Sequence, residues 1–296
     1  MKPTTMLNIL VTGADGQLGN ELRRLGRTSA NNNIYTDVAE LDITDAAAVE
    51  RFVAENRIDV IENCAAYTDV ERAEDDEQTA YAVNCTAAGI LAAAAARHDA
   101  LLIHISTDYV FDGRSGVPYT EDMTAAPLNA YGRTKLAGER AIAESGCRHI
   151  ILRTSWLYSG FGNNFLRRML SLTAGRRELR VVADQIGTPT YAADLADAIF
   201  DMVESRRFEG RGGIYHFANE GRCSWYDFAC AIAAEAGRTE CRISPCRTDE
   251  YPSRAVRPAY SVLDKSKYRL AFGRPVRHWR DALRECIDEL TKGNQL

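Results

Sequence analysis

Residues 7–19 read L-N-I-L-V-T-G-A-D-G-Q-L-G, and this stretch decides the fold because an apolar run leads directly into a glycine-rich turn. The apolar run over 7–12 predicts a buried strand, and the pattern over 19–25 predicts a helix that opens at the last glycine. Because its glycines have no side chains, such a turn lets backbone N–H groups and the positive end of the helix approach a pyrophosphate. The residues expected to bind a dinucleotide there are Gly13, Gly16, Gln17, Leu18 and Gly19.

Short apolar, β-branched runs alternate with helical patterns as the chain continues from this turn. Strands are predicted at 7–12, 34–36, 60–63, 101–106 and 150–153, with helices at 19–25, 45–56 and 81–97. Runs of this type suit parallel strands that are buried on both faces. The alternation predicts an α/β fold, a doubly wound parallel sheet of the Rossmann type.

The alternation loosens after residue 153, where the chain is expected to build a smaller second domain. Helices are predicted at 161–172 and 193–204 and strands at 180–182 and 214–218, and prolines and glycines punctuate 220–274. We expect a dinucleotide-binding domain formed by 1–155 plus 186–220. A discontinuous C-terminal domain for a nucleotide-sugar substrate then comprises 156–185 plus 221–296.

Composition and charge exclude several classes of protein. A chain of 296 residues that is 46% hydrophobic can bury a large core, and its net charge of −5 offers no basic surface for nucleic acid. The eight cysteines are scattered without a C-x-x-C pair, which is typical of reduced thiols in a cytoplasmic protein. The longest apolar stretch, 89–96, ends at Arg97 and is too short to span a membrane. Neither a membrane nor nucleic acid is therefore an expected partner.

An acidic residue at the end of the second predicted strand bears on the choice of cofactor. Asp37 lies about 20 residues beyond the glycine turn, where a carboxylate hydrogen-bonds the adenosine ribose hydroxyls, and this position favours NADH. The arginines within 23–27 could instead bind a 2′-phosphate, which leaves NADPH open. Asp42 and Ile43 precede the next predicted helix and either flank the adenine or simply enter the helix.

Tyr131 and Lys135 lie four residues apart in Y-G-R-T-K-L-A-G-E, a spacing that puts both on one face of a helix. The ammonium beside the phenol is expected to lower the pKa of the phenol toward neutrality, so that it can donate or accept a proton. The residues S-T-D-Y at 106–109 end a predicted strand, at the edge where such sheets bind ligands, and supply hydroxyl groups to polarise a carbonyl. Asn84 adds a backbone kink, provides a site for a proton-relay water, or is an ordinary helix-interior residue.

Five motifs together resemble one family. They are T-G-x-x-G-x-x-G at 12–19, S-T-D-Y-V-F-D-G at 106–113, Y-G-x-T-K-x-x-G-E at 131–139, L-R-T-S-W-L-Y at 152–158 and D-Q-x-G-x-P-T-Y at 184–191. The first and third resemble motifs found widely among the extended short-chain dehydrogenase/reductases, whereas the second and the last resemble the dTDP-4-dehydrorhamnose reductases. The resemblance covers about residues 7 to 290.

The resemblance implies an activity, a cofactor and a substrate. A hydride passes from NADPH or NADH to the 4-keto carbon of dTDP-4-dehydro-L-rhamnose and gives dTDP-L-rhamnose, a precursor for polysaccharide biosynthesis. By the same resemblance Tyr131 protonates the new alkoxide, Lys135 holds the nicotinamide ribose, and Thr107 hydrogen-bonds the substrate oxygen.

Further positions are implied to contact the two ligands. The cofactor-lining segment matches Ala65, Ala66 and Tyr67, and the substrate contacts match Thr107, Asp108, Trp156, Asn164 and Arg257. Arginine is the natural partner of a diphosphate, whereas Trp156 could equally belong to the core. Glu71 stands where the family is expected to have aspartate, which lengthens a side chain near the cofactor loop. Some members form a magnesium-bridged homodimer, so Mg²⁺ and a homodimer are options here, although no acidic positions could be matched to that bridge.

Several clusters have simpler interpretations. The acidic run over 71–77 is expected to be a solvated helix face rather than a metal site, and no metal-binding residue is assigned. His104 is expected to be a packed or hydrogen-bonded residue of a strand. Trp225 and Tyr226 fit a helix packing face better than a ligand stack.

Two alternative functions share much of this motif set. One is a non-catalytic, NADP-binding subunit of the same fold that regulates methionine adenosyltransferase. The other is a reductase of another nucleotide sugar, such as a GDP-fucose synthase-like enzyme, which requires an additional cysteine and histidine pair that the sequence does not offer in a recognisable place. The reductase is preferred because every proton-transfer position is filled.

Overall fold

The computed structural model describes residues 6–293, in which short strands and helices alternate. The strands are β1 (Asn8–Thr12), β2 (Asn32–Thr36), β3 (Val60–Asn63), β4 (Leu101–Thr107), β5 (Arg148–Thr154), β6 (Leu157–Tyr158), β7 (Glu178–Val182), β8 (Ile186–Gly187), β9 (Thr190–Tyr191), β10 (Gly213–His216), β11 (Cys223–Ser224) and β12 (Arg242–Cys246). The α-helices are α1 (Gln17–Gly26), α2 (Ala46–Glu55), α3 (Val70–Ala73), α4 (Glu77–Tyr81), α5 (Ala87–Arg97), α6 (Ala130–Glu144), α7 (Phe165–Gly175), α8 (Ala192–Glu204), α9 (Trp225–Glu235), α10 (Ser266–Phe272) and α11 (Trp279–Lys292).

Six parallel strands form the main sheet, in the order β10-β5-β4-β3-β1-β2. The order reverses between β1 and β3, as it does in doubly wound folds, and the carboxyl ends of both strands meet at that point. β1, β3 and β4 are buried on both faces, which explains their apolar residues, although β3 also buries Glu62 and Asn63 and β4 buries His104. The predicted α/β fold with a parallel Rossmann-type sheet is confirmed.

Two hydrophobic clusters cover the two faces of this sheet. Residues of α1, α8 and α10 pack on one face, and residues of α2, α5 and α6 pack on the other. A third cluster joins α7, α9 and α11 with the short strands β6 and β9, around the buried rings of Tyr158, Phe228 and Trp279. β7 and β12 pair in parallel beside it. The later part of the chain therefore has a hydrophobic cluster of its own.

Two predicted helix starts are wrong, and both errors have a physical cause. α1 begins at Gln17 rather than at the third glycine, because Gly16 takes the extended N-cap conformation and Gly19 packs inside the first turn. α7 begins at Phe165 rather than at 161, because the Asn164 side chain accepts a hydrogen bond from Arg167 N and caps the helix there. By contrast, the helix predicted over 45–56 is found, since α2 runs from Ala46 to Glu55 and the Asp45 side chain caps its first turn.

The helix predicted over 81–97 is interrupted by a π-helical turn at Ala82–Thr86. Asn84 lies in this turn, so of its three interpretations the kink is confirmed. Its amide donates to Tyr67 O at 3.1 Å and to Thr134 Oγ1 at 3.1 Å, and its Oδ1 accepts from Tyr67 N at 2.9 Å. A π turn of this type is common near functional sites.

The stretch Glu77–Arg97, which contains this turn, is the one helical segment within residues 6–293 that is long and apolar enough to cross a membrane. Half of its most apolar 18-residue window is buried inside the protein. Its alanines and Leu91 belong to the cluster between the sheet and α2. Length and apolar composition here fit a core helix.

Candidate active site

The glycine turn after β1 is shaped by close backbone contacts. Gly13 has φ +64°, and a Cβ there would lie 2.6 Å from Ala65 N. A Cβ at Gly19 would lie 2.5 Å from Gly13 O and from Ala14 Cα. Gly16 differs, since the nearest atom to a Cβ there is Gly13 O at 3.2 Å. Two of the glycines therefore serve packing within the protein, and the third leaves the N-terminus of α1 open.

The predicted cofactor residues gather around this turn. The segment 64–67 follows β3 and touches Gly13, so Ala65, Ala66 and Tyr67 lie beside the turn. Asp37 directly follows β2 and accepts hydrogen bonds from Asp15 N at 3.1 Å and Val38 N at 2.8 Å.

Two further predicted cofactor positions have structural roles. Asp42 is exposed and accepts hydrogen bonds from the backbone and hydroxyl of Thr44, where it forms a turn before α2. Ile43 is buried in the core cluster under that helix. The simple helix-entry interpretation therefore accounts for the contacts that both residues make.

Thr107, Tyr131 and Lys135 converge at the carboxyl end of β4. Thr107 is the last residue of that strand; its hydroxyl donates to Asp108 Oδ1 at 3.1 Å and lies close enough to the Tyr131 phenol to influence its pKa. α6 carries both Tyr131 and Lys135, and its first turn is capped by Asn129, whose Oδ1 accepts from Gly132 N at 2.8 Å. The Thr107 hydroxyl also accepts from Tyr109 N at 3.1 Å, which fixes the strand end.

The expected lowering of the pKa of Tyr131 is not what the structure gives. Burial raises the pKa of the phenol, and the neighbouring Thr107 hydroxyl opposes this effect only in part. Lys135 Nζ makes its contacts elsewhere, with Ile105 O at 2.6 Å and His104 Nε2 at 3.1 Å. Burial lowers the pKa of Lys135 to about 8, against the attraction of Glu139. Because burial raises its pKa, the Tyr131 phenol is protonated at neutral pH.

A buried ion pair braces the strand that carries Thr107, and sequence reasoning missed it. Glu139 on α6 accepts from Arg153 Nε at 2.9 Å and Nη2 at 2.6 Å, and from Ser106 Oγ at 2.5 Å. Both ionic side chains are almost fully buried. The pair ties α6 to β4 and β5. Glu139 and Arg153 both occur in the motifs quoted from the sequence, but no role was assigned to them there.

Asp108, the predicted sugar contact, is a buried carboxyl whose pKa is raised to about 7 by burial, despite hydrogen bonds from Ser261 and Thr107. Within residues 6–293, its Oδ2 and the hydroxyls of Tyr67 and Tyr260 are buried without a hydrogen-bond partner. Buried polar atoms normally have partners, so these three are available for the hydroxyl groups of a ligand.

A cavity of about 890 Å³ opens beside this site, between α7, β7 and two loops, 68–71 and 248–257. Its lining includes the predicted substrate residues Asn164 and Arg257. Arg257 donates to Tyr109 Oη at 3.1 Å, and the Tyr109 ring packs edge-on against Tyr131 at 5.9 Å between centroids. Contacts through Arg257 and Tyr109 thus join the cavity wall to Tyr131, which does not itself line the cavity, and a volume of this size suits a nucleotide-sized ligand.

Trp156 was predicted either to contact the substrate or to belong to the core, and its contacts favour the core. Trp156 stacks on Trp225 at 3.5 Å between ring centroids and covers Gly187, so its core interpretation fits best. Trp225, which was expected only to pack within its helix, lines the cavity as well as contacting Trp156 and Phe165. Only the three-dimensional pairing of α9 with β6 and α7 shows which tryptophan faces the cavity.

Asn164 joins the cavity to the glycine turn. Its side-chain amide donates to Gln17 Oε1 at 2.9 Å and to Ser159 O at 2.9 Å, while its oxygen caps α7. Two residues that were predicted to bind different ligands thus contact each other. The sequence carried no signal for this contact, because the residues are far apart along the chain.

The acidic run over 71–77 is not merely a solvated face. Glu71 accepts from Ser253 Oγ at 2.8 Å, Arg254 N at 2.8 Å and Arg257 Nη2 at 2.9 Å. Glu74 accepts from Ala130 N at 2.6 Å, directly before Tyr131. The run therefore holds the loop of Arg257 and the start of α6. No group of three or more metal-binding side chains occurs within residues 6–293.

The parallel sheet, its glycine turn and the Thr107–Tyr131–Lys135 cluster define an oxidoreductase of the extended short-chain dehydrogenase/reductase type. A family model described as the RmlD substrate binding domain matches residues 7–292. The chain belongs to this family, and the resemblance to dTDP-4-dehydrorhamnose reductases is confirmed.

Curated and solved relatives agree with this assignment. The spore coat polysaccharide biosynthesis protein SpsK of Bacillus subtilis (strain 168) is 42% identical over 96% of this chain and 98% of its own. The dTDP-4-dehydrorhamnose reductase of Mycolicibacterium smegmatis is 42% identical over 94% and 84%. A crystal structure of dTDP-4-dehydrorhamnose reductase from Bacillus anthracis, in complex with NADP, is 38% identical, covers 96% of this chain and all of its own, and has a TM-score of 0.91.

Proposed function

We propose that this protein reduces the 4-keto group of dTDP-4-dehydro-L-rhamnose with NADPH or NADH and releases dTDP-L-rhamnose. One observation carries the proposal: in a chain of the RmlD family, Thr107 and Tyr131 come together at the end of β4, and Tyr109 and Arg257 connect them to a nucleotide-sized cavity. The alternative of a non-catalytic regulatory subunit has no observation of its own in its favour.

The glycine turn suits a dinucleotide. The N-cap Gly16 has no side chain to cap α1, so the first N–H groups of that helix are open to a diphosphate. Asp37 at the end of β2 supports binding of the adenosine ribose, which favours NADH. Arg23 pairs with Asp15 at 3.0 Å, and Asp15 in turn contacts Asp37. Arg23 is therefore a cation that could bind a 2′-phosphate, which favours NADPH. When bound, the nicotinamide supplies a hydride to the carbonyl carbon.

The residues of the site supply the proton and hold the carbonyl. The Thr107 hydroxyl polarises the carbonyl oxygen, and the protonated Tyr131 donates its proton to that oxygen as the carbon becomes tetrahedral. A raised pKa suits this direction of reaction, because the phenol is in its acid form before the reduction. Lys135 supplies the positive charge that stabilises the resulting phenolate.

The cavity gives the substrate a place for each of its parts. Arg257 is the fixed cation for the diphosphate, since Glu71 and Tyr109 hold its guanidinium. Asp108 and Tyr67 offer unpaired buried oxygens to the sugar hydroxyls. Trp225 offers an aromatic face at the cavity wall.

We also retain the division into a dinucleotide-binding domain, 1–155 plus 186–220, and a substrate domain, 156–185 plus 221–296. The addition of β10 to the main sheet and the separate cluster of α7, α9 and α11 support it. A cytoplasmic location and a homodimer are part of the same proposal, with Mg²⁺ as an optional bridge between subunits.

The test is the oxidation of NADPH and of NADH by the purified protein with dTDP-4-dehydro-L-rhamnose generated in place, with the product sugar identified. Oxidation coupled to dTDP-L-rhamnose formation supports the proposal and ranks the cofactors. Tight cofactor binding without turnover contradicts it and points to another nucleotide sugar or to a regulated partner.

A further inference from the structure

A chain of buried polar side chains runs from Lys135 through the middle of the main sheet. Lys135 Nζ lies 3.1 Å from His104 Nε2 on β4, and His104 Nδ1 lies 2.9 Å from Asn63 Nδ2 on β3. Asn63 Oδ1 accepts from Thr12 Oγ1 on β1 at 2.8 Å. All four side chains are about 1% exposed. Water is therefore not available to satisfy these groups, and each contact must join a donor to an acceptor.

A backbone amide sets the direction of this chain. Ala65 N lies 3.2 Å from Asn63 Oδ1, and a backbone N–H can only donate. The oxygen of the Asn63 amide must therefore face Ala65, which leaves its nitrogen to face His104. That nitrogen donates, so His104 Nδ1 accepts. The proton of a neutral imidazole then resides on Nε2, the atom that faces Lys135.

Lys135 must accept a hydrogen bond from this Nε2–H. An ammonium has three donors and no lone pair, whereas a neutral amine has two N–H groups and one lone pair. The neutral form satisfies both contacts of Nζ, because it donates to Ile105 O at 2.6 Å and accepts from His104. The ammonium would face His104 donor to donor.

Other ionisable groups near Lys135 act on its charge as well. Glu139 on the same helix favours the ammonium, but Arg153 on β5 neutralises that carboxylate through two hydrogen bonds. Cys64, beyond β3, favours the ammonium only when it is ionised, and burial raises the pKa of its thiol well above the usual range. Tyr131 is protonated. His104 is therefore the neighbour whose hydrogen bond distinguishes the two forms of Lys135.

We propose that His104 is a positioning residue for Lys135: it is fixed in one tautomer by Asn63 and the Ala65 amide, holds the amine against the Ile105 carbonyl, and stabilises its neutral form. Protonation of Lys135 breaks the contact with His104 and frees the ammonium to turn toward Tyr131 and a cofactor ribose. His104 thus sets the pH at which the active site acquires its positive charge.

The direct test is NMR titration of the side chains with ¹³Cε-labelled lysine, which needs no turnover. The chain has only five lysines, and Lys135→Arg assigns the signal. We expect Lys135 to titrate near its lowered pKa of about 8. In His104→Met the neutral form loses its donor, and the pKa of Lys135 rises by about one unit, a tenfold change in its protonation equilibrium.

Asn63→Ala provides an independent variant should His104→Met fail to fold. Without the amide donor, His104 can place its proton on Nδ1 and accept from the ammonium, so the pKa of Lys135 rises again. In the double variant, Asn63→Ala should add nothing to the effect of His104→Met. An unchanged Lys135 titration in the single variants, or an equal effect of Asn63→Ala in both backgrounds, overturns the proposal.

A kinetic test of the role of His104 rests on the proposed function. If reduction requires the Lys135 ammonium, the alkaline limb of kcat/KM moves to higher pH in His104→Met, in parallel with the NMR titration. If the wild-type protein turns over no sugar nucleotide while the titrations behave as expected, the proposed function fails and the role of His104 stands. A kinetic limb that stays in place while the Lys135 titration shifts overturns the link between His104 and the charge of the active site.

Discussion

Tyr131 is the residue that we propose as the proton donor, because its protonated phenol lies beside Thr107 at the end of β4. We expect Tyr131→Phe to lower kcat by about 10²- to 10⁴-fold, the usual loss when a general acid is removed. The dissociation constant for NADPH should change little. Steady-state kinetics and fluorescence titration of NADPH measure the two quantities. Tyr226→Phe on α9 is the matched control, and near-normal turnover of Tyr131→Phe would exclude Tyr131 as the proton donor.

Glu21 on α1 is a buried carboxyl whose pKa is raised to about 7 by burial, despite the opposing attraction of Arg24. The folded state holds this proton where the unfolded state has lost it, so stability falls as the pH rises from about 4.5 to 7. Glu21→Gln removes this loss.

We expect Glu21→Gln to be more stable than the wild type by about 1–3 kcal/mol at pH 8 and by much less at pH 4. Urea unfolding at both pH values measures the difference. The exposed Glu55, changed to Gln, is the control and should show little effect. A variant that is less stable than the wild type at pH 8 would show that the Arg24 pair at 3.1 Å outweighs the burial of Glu21.

The contact between α6 and the π turn illustrates how elements align the site. A Cβ at Gly138 would lie 2.1 Å from Asn84 O, so any side chain there must separate the two elements. We expect Gly138→Ala to cost about 1–3 kcal/mol of stability, in the range of overpacked cores. Gly175→Ala, near the end of α7 with no described atom within 4 Å of its Cβ, is the control. Thermal unfolding compares them, and equal midpoints would contradict the tight contact.

The contact of α3 with the loop 253–257 is a second example of how elements align the site. Burial raises the pKa of Glu71, but hydrogen bonds from Ser253, Arg254 and Arg257 outweigh it and lower the pKa to about 2. The carboxylate is thus fully ionised at working pH, and its contribution to stability is lost only as the pH falls through about 2.

We expect Glu71→Ala to release Arg257 and to raise KM for the sugar nucleotide about tenfold, with kcat within a few-fold of the wild type, because loss of a charged hydrogen bond costs about 1–3 kcal/mol. Steady-state kinetics measure the split. Glu77→Ala, which breaks only an exposed pair with Arg133, is the control. A fall in kcat at unchanged KM would place Glu71 in the chemistry rather than in binding.

For the molecule as a whole, the features that could be predicted are those that local sequence patterns determine. Apolar runs became the strands β1, β3 and β4, and the glycine turn lies between β1 and α1 as expected. The i,i+4 spacing placed Tyr131 and Lys135 on one helix. These features depend on near neighbours along the chain, and for that reason they could be read from the sequence.

The sequence could not predict contacts between segments that are far apart along the chain. The pKa of Tyr131 depends on burial, and the position of Lys135 Nζ depends on His104 and Ile105 of another element. Which tryptophan lines the cavity depends on how α9 packs on β6. The role of Glu71 depends on a loop about 180 residues away along the chain. Such pairings are set by tertiary packing, which overrides local pattern.

The most direct measurement of the central claim is the transfer of deuterium from NADPH deuterated at the transferring position of its nicotinamide C4 to dTDP-4-dehydro-L-rhamnose, followed by NMR of the product. The account predicts dTDP-L-rhamnose with one deuterium at sugar C4, formed about 10²- to 10⁴-fold more slowly by Tyr131→Phe. A product without deuterium at C4, or deuterated cofactor that is never oxidised although it binds, would contradict the account.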